Sequence, residues 1–329
     1  MAELHLDIAV TRGDSTESLH RVHAAVVRPS GELVAFARDP GLVTHWRSCA
    51  KPFQAMPLVE AGGFEALGWG EERLALACAS HGGEPEHVAI AAAMLADLGL
   101  VEGDLACGPH EPLSARGAQL LRDAGQTPTR LHNNCSGKHA AMLGRAKTAG
   151  WSTAGYHTGA HRVQQGCLAS VSRWSGVDRD AVGCAVDGCG VVEYSLSLIG
   201  MATAYARLGQ AAVDGAPGPA QVVHAMGAHP FLVGGTDRFD TILMELTAGR
   251  IICKVGAEGV HSAVSLDRGV GVAIKAEDGA GRAQYPALLR VLQMVDALPA
   301  QLPPRLADLA RRPILNTRGE LVGEIRPVA

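Results

Sequence analysis

The apolar positions of this chain change their spacing along its length, and the change predicts where strands give way to helices. Near the N-terminus they fall in short runs. Residues 6–10, 22–27 and 33–37 read as strands, the last two turning at Pro29, Ser30 and Gly31 into an antiparallel hairpin. From residue 48 onward the spacing lengthens to three and four. Residues 85–98 place Val88, Ala91, Leu95 and Leu98 on one helix face, and further helical stretches are 114–124, 138–149, 162–175, 192–208 and 220–226. Strand character returns at 250–255, 262–266 and 269–275, the last running into Asp278-Gly279 turn chemistry. Pro286, in a first-turn position, opens a helix carrying Leu288, Val291, Val295 and Leu298, and Pro303-Pro304 leads into another. Residues 314–325, turning at Arg318-Gly319, close the chain as a hairpin.

Strands at both ends around a helical middle predict a mixed α/β (α+β) fold: one antiparallel sheet built from both termini, with a large helical insertion. Residues 1–47 and 246–329 form the sheet part and 48–245 the mainly helical part. The active site is expected at their junction, as a single catalytic unit.

Composition narrows the function. The 329 residues are 47% hydrophobic and 19% charged, enough for a large core. A net charge of −4 and a pI near 6.4 lack the basic field of a nucleic-acid binder. The N-terminus has no basic segment followed by an apolar one, and no apolar run is long enough to span a bilayer, so a cytoplasmic protein is expected. Eight cysteines in such a chain are expected to stay reduced, most of them as small buried hydrophobes.

Four stretches carry candidate chemistry. In Trp46-Arg47-Ser48-Cys49-Ala50-Lys51-Pro52-Phe53-Gln54, Ser48 and Lys51 are three residues apart at a helix start, with Ser48 at or near the N-cap and Pro52 in the first turn. Such spacing lets an amine act as base to a serine nucleophile; it also describes a capped helix with a solvated lysine. Cys78-Ala79-Ser80-His81-Gly82-Gly83-Glu84 sets a hydroxyl beside two glycines, where a ligand could approach the backbone and a carboxylate could meet the helix start. Lys254-Val255-Gly256-Ala257-Glu258-Gly259 ends an apolar strand with a lysine and a glycine loop; Lys275 also ends a strand. Asn133-Asn134-Cys135-Ser136-Gly137-Lys138-His139 departs from a phosphate-binding loop at His132 and His139. Its Cys135, with Cys189 of Asp187-Gly188-Cys189-Gly190, offers thiolates that could ligate zinc without Cys-x-x-Cys spacing. Asp187 could accept hydrogen bonds from a substrate amine or bond its own turn.

In this order the stretches resemble the rhizobial-type, or class 3, L-asparaginase II family, over nearly the whole chain. The resemblance implies a fold similar to serine β-lactamases and penicillin-recognising enzymes. It also implies an amidohydrolase acting on a linear amide, converting L-asparagine to L-aspartate and ammonia. Carried over residue by residue, Ser48 with Lys51 and Ser80 with Lys254 form two serine–lysine tandems. Arg47, His139 and Asp187 border the substrate, and Cys135, Lys138 and Cys189 match the zinc ligands. A homodimer is implied as well. Lys254 is preferred to Lys275 because the glycine loop follows it. The chain has no clear Ser-Asp-Asn element and no hydroxyl residue between Lys254 and Gly256, which lowers the expectation of β-lactam hydrolysis. Two alternatives stay open: a cytoplasmic β-lactam-binding serine hydrolase, and a non-catalytic zinc- or amino-acid-binding protein.

Overall fold

The computed structural model describes residues 1–328 and divides the chain into two compact units. One comprises Met1–Cys49, Leu196–Gln210 and the chain from Arg250 onward; the other comprises Ala50–Ser195 and Ala211–Gly249. Residues 196–210, expected with the helical part, belong to the sheet unit.

The sheet unit contains two sheets, where the sequence led us to expect one. The larger has six strands in the order Ala2–Glu3, Leu33–Ala37, Val22–Val27, Val270–Ala276, Val260–Ser265 and Ile251–Val255. All its pairings are antiparallel except the short edge pairing of Ala2–Glu3 with Leu33–Ala37. Every residue of Val260–Ser265 and Val270–Ala276 is buried, as expected of strands covered on both faces. Adjacent residues of a strand point to opposite faces, which shows what covers each. On the face of Gly271 and Val264 lies the helix Leu198–Val213; on the other, His261 meets Tyr285 of the helix Gly281–Met294 edge-on, ring centroids 6.1 Å apart. The second sheet joins Arg312–Leu315, Leu321–Pro327, Ile8–Arg12 and Ser15–His20. The closing hairpin therefore pairs with the first strands of the chain rather than extending the main sheet, with Ile325 opposite Val10.

In the helical unit the central element is Lys51–Glu60, buried on nearly all sides, with Pro52 in its first turn as expected. It packs against Arg162–Ser175, Ser136–Thr148 and Pro217–Ala228. A helix buried this way needs no polar face, and its one lysine is drawn into the interior with it. The expected helix 192–208 is a strand over Val192–Ser197 and becomes helical only at Leu198. A continuous apolar run does not distinguish the two periods; pairing with Gly183–Val186 decides for strand. Pro286 lies inside the helix Gly281–Met294 rather than opening it. Seven of the eight cysteines are buried, Cys184 is exposed, and none is in a disulfide. Among the described residues no helix is long and apolar enough to cross a membrane.

Two features make the packing testable. A Cβ on Gly271 would lie 2.0 Å from the Ala202 carbonyl oxygen, so the helix Leu198–Val213 can rest on the sheet only over a glycine. Gly271→Ala is expected to lower unfolding stability by about 3 kcal/mol or more in denaturant titration, whereas Gly281→Ala, which faces open space, changes it by less than about 1 kcal/mol. In the helical unit the buried Glu84 carboxylate accepts hydrogen bonds from the Thr236 amide and hydroxyl, both at 2.7 Å, and from Arg116 at 2.5 Å. Burial disfavours its charge, but the Thr236 amide, Arg116, and the Thr236 and Ser114 hydroxyls outweigh this and hold it below its ordinary 4.5. A carboxyl lowered on folding contributes stability above its unfolded value and loses it as pH falls through the folded one. Glu84→Gln is therefore expected to destabilise by about 1–3 kcal/mol at neutral pH and by progressively less below pH 4.5, read from unfolding midpoints across pH.

Candidate active site

Ser48 lies in a 3-10 turn, Arg47–Ala50, that runs directly into Lys51–Glu60. Ala50 is the cap of that helix, and Ser48 stands two residues before it, half-buried. Arg47 opens the turn at φ +54°, a left-handed conformation that costs an L-residue about 1–2 kcal/mol. The surrounding sheet unit holds it there. Trp46 Nε1 donates to Ser262 Oγ at 3.0 Å, Cys49 Sγ to the Lys254 carbonyl at 2.9 Å, and the Tyr205 hydroxyl to the Cys49 carbonyl at 2.8 Å. The Trp46 and Tyr205 rings meet edge-on at 6.1 Å. Three side-chain bonds thus fix the residues on either side of Ser48.

Lys254 is fully buried on Ile251–Val255, opposite Ser262 in register, and its Nζ donates to the Val255 carbonyl at 3.0 Å. The glycine loop behind it has a packing reason. A Cβ on Gly256 would lie 3.0 Å from Cys49 Sγ and 3.1 Å from the Trp46 carbonyl, so glycine lets this loop close on the Ser48 turn. Gln284, buried in the helix Gly281–Met294, donates to the Gly256 carbonyl at 3.0 Å and to the Val260 carbonyl. Lys275 fastens the other side of the loop, donating to the Glu258 and Ala276 carbonyls at 2.7 and 2.5 Å.

In the helical unit the Lys51 amine is fully buried and has three partners: the Ala79 carbonyl, Ser80 Oγ at 3.0 Å and the Asn134 carbonyl at 3.2 Å. Carbonyls can only accept. Lys51 therefore donates to both, and the Ser80 hydroxyl, which can accept or donate, is its third partner. Ser80 is itself buried, and its amide donates to the Val233 carbonyl at 3.0 Å. His81 ties this stretch to the next: its Nδ1 accepts from the Gly83 amide at 3.1 Å, leaving Nε2 to donate to Ser136 Oγ at 2.9 Å. Burial pushes the His81 pKa well below its ordinary value. Gly82 and Gly83 are filled by the protein's own packing, against Ser114 and the His132 carbonyl, rather than left open to a ligand as the sequence suggested.

The hairpin formed by Gly183–Val186 and Val192–Ser197 turns at 187–190, with the Asp187 amide donating to the Val191 carbonyl at 2.8 Å and Gly190 at φ +89°. The turn sets Asp187 and Cys189 against the start of the helix Ser136–Thr148, where Cys135 is the cap residue and Lys138 lies in the first turn. Lys138 Nζ lies 3.1 Å from Cys189 Sγ and 3.8 Å from Asp187 Oδ2. The donor atoms of Cys135, Asp187 and Cys189 all fall within 4.8 Å of one another. A hydrogen bond between the thiols divides their acidities: the bond and burial push Cys135 up to about 12, while the bond and Lys138 bring Cys189 down to about 6. Burial opposes the charge on Lys138, but Cys135, Cys189 and Asp187 together raise its pKa. Asp187 also bonds its own turn, accepting from the Gly188 amide at 2.9 Å.

His139 follows on the same helix, fully buried, its Nδ1 2.6 Å from the Tyr156 hydroxyl. Burial, and then Lys138, push its pKa down to about 3. Tyr156 and Gln284 were not singled out from the sequence, because each acts through contacts remote along the chain; Glu84 was named only as the end of the stretch from Cys78, with no role of its own.

Comparisons with known proteins bear on this arrangement. Among solved structures, a β-lactamase from Mycobacterium bovis aligns over 84% of this chain and 95% of its own, at 14% identity and a TM-score of 0.42. A search of curated proteins finds no significant match. The model of the family described as L-asparaginase II matches residues 8–327, so the stretches described above all lie within the match, and the chain belongs to the L-asparaginase II family.

Proposed function

We propose that the protein hydrolyses L-asparagine to L-aspartate and ammonia through a serine acyl-enzyme. Membership of the L-asparaginase II family supports an amide substrate. The observation that carries the chemistry is the buried Lys51 amine on Ser80 Oγ, three residues along the chain from Ser48 in its strained turn. Ser48 is the nucleophile: its Oγ forms a bond to the side-chain amide carbon while Lys51 takes the hydroxyl proton. The Lys51–Ser80 hydrogen bond supplies the onward path. Ser80 gives its proton to the departing nitrogen and regains one from Lys51, so ammonia leaves neutral and a β-aspartyl ester remains on Ser48. Water then cleaves the ester with the proton steps reversed. Lys254, paired with Ser80 in this reading, adds positive charge toward the developing oxyanion, and Arg47, His139 and Asp187 hold the substrate's charged groups.

Cys135, Lys138 and Cys189 are proposed to hold zinc. Two thiol sulfurs and an amine, gathered with a carboxylate in a buried cluster, fit a metal that favours sulfur and nitrogen donors. Bound there, zinc would neutralise the thiolates and order the turn carrying Asp187. Lys138 must give up its proton to ligate, so binding competes with the thiolate–ammonium contact described above.

Purified protein is expected to release ammonia from L-asparagine, and Ser48→Ala and Lys51→Ala are each expected to lower kcat by about a thousandfold or more. The double variant should lose little beyond either one, because the two act as a unit. Near-normal turnover by Ser48→Ala, alongside none by Ser80→Ala, would reverse the roles of the serines. Protein prepared under reducing conditions is expected to carry about one zinc per chain by elemental analysis, falling at least about tenfold in Cys135→Ser and Cys189→Ser. Unchanged zinc in both variants would place the metal elsewhere.

A further inference from the structure

The two ring nitrogens of His139 have unlike surroundings. Nδ1 faces the Tyr156 hydroxyl at 2.6 Å, whereas Nε2 is buried with no hydrogen-bond partner among the described residues. The Tyr156 hydroxyl is held from its other side as well, accepting the Ala106 amide proton at 2.9 Å. Tyr156 is 2% exposed, and burial raises its pKa, so the phenol keeps its proton. Among the described residues the acceptor within reach of that proton is His139 Nδ1. An imidazole that accepts at Nδ1 while neutral carries its own proton on Nε2.

We infer that Tyr156 is a positioning residue: it locks His139 in the Nε2–H form, and this N–H is the donor for an oxygen of the bound substrate, carboxylate or amide carbonyl. The identity of the acceptor rests on the amide-hydrolase reading above; the tautomer does not. A buried N–H lacking an acceptor is unfavourable, and an arriving oxygen relieves that at a point fixed by the helix Ser136–Thr148. The other tautomer would present an acceptor and repel the same oxygen. The Tyr156 hydroxyl therefore acts on substrate binding without touching substrate.

The test begins with the unaltered protein. Long-range proton–nitrogen correlation on histidine-labelled protein, with the His139 signals assigned by their loss in His139→Gln, is expected to show a protonated Nε2 and a bare Nδ1. Tyr156→Phe should mix or reverse that pattern. It should also raise KM for L-asparagine by about tenfold, with kcat changing less than about threefold. His139→Gln puts an amide N–H2 near the Nε2 position, so adding Tyr156→Phe to it should change KM by less than about twofold. A protonated Nδ1 in the unaltered protein overturns the inference outright. So does a Tyr156→Phe variant with unchanged tautomer and unchanged KM, or KM effects that multiply in the double variant. If the protein released no ammonia from asparagine, the function reading alone would fail, and the nitrogen spectrum would still decide what Tyr156 does to His139.

Discussion

A lysine amine with no access to water must find its hydrogen-bond partners inside the protein, and the helical unit is arranged around that demand for Lys51. Burying an unpartnered ammonium costs several kcal/mol, so the chain brings two carbonyls and a hydroxyl to one point. The Ala79 carbonyl and Ser80 arrive from the end of the helix Glu71–Ala77, and the Asn134 carbonyl from the turn that starts Ser136–Thr148. The same requirement that keeps Lys51 stable therefore ties it to Ser80. As an ammonium it donates to that hydroxyl; as a neutral amine it accepts from it. A proton can pass either way between amine and hydroxyl without moving a heavy atom.

The sheet unit solves a different problem, that of holding a left-handed Arg47 beside the Ser48 hydroxyl. Its answer is rigidity from several directions: an indole bond to Ser262, a thiol bond to the Lys254 carbonyl, and a tyrosine bond to the Cys49 carbonyl. Gly256 and Gln284 bring the loop after Lys254 into the same packing. Residues that look like core in a hydropathy plot, Cys49 and Tyr205 among them, are the fastenings of the turn that carries Ser48.

Much of this was legible in the sequence where local chemistry and tertiary context agree. The hairpin Val22–Val27 and Leu33–Ala37 has its turn residues between two apolar runs, and Arg162–Ser175 ends at a glycine that takes φ +74°. Ser15–His20 was missed because it is polar and mostly exposed, with no alternation to reveal it. Val192–Ser197 was read as helix because its strand character comes from pairing with Gly183–Val186. The stretches around Ser48, Ser80, Cys135, Cys189 and Lys254 could be picked out from their local residue types, and their expected roles came from the family resemblance. The Lys51–Ser80 bond could not, since their separation of 29 residues follows no helical or strand period. Tyr156 and Gln284 were invisible for the same reason: each acts on a partner brought near only by folding.

The proposed chemistry is covalent catalysis at Ser48, with Lys51 and Ser80 moving protons. The most direct measurement is rapid acid quenching of the protein during turnover of L-asparagine, followed by proteolysis and mass spectrometry of the peptides bearing Ser48 and Ser80. The account predicts an added aspartyl group on the Ser48 peptide, formed within the first turnover and lost as the substrate is exhausted. An aspartyl group on Ser80 instead, or steady ammonia release with neither serine ever modified under conditions that trap an ester, would contradict it.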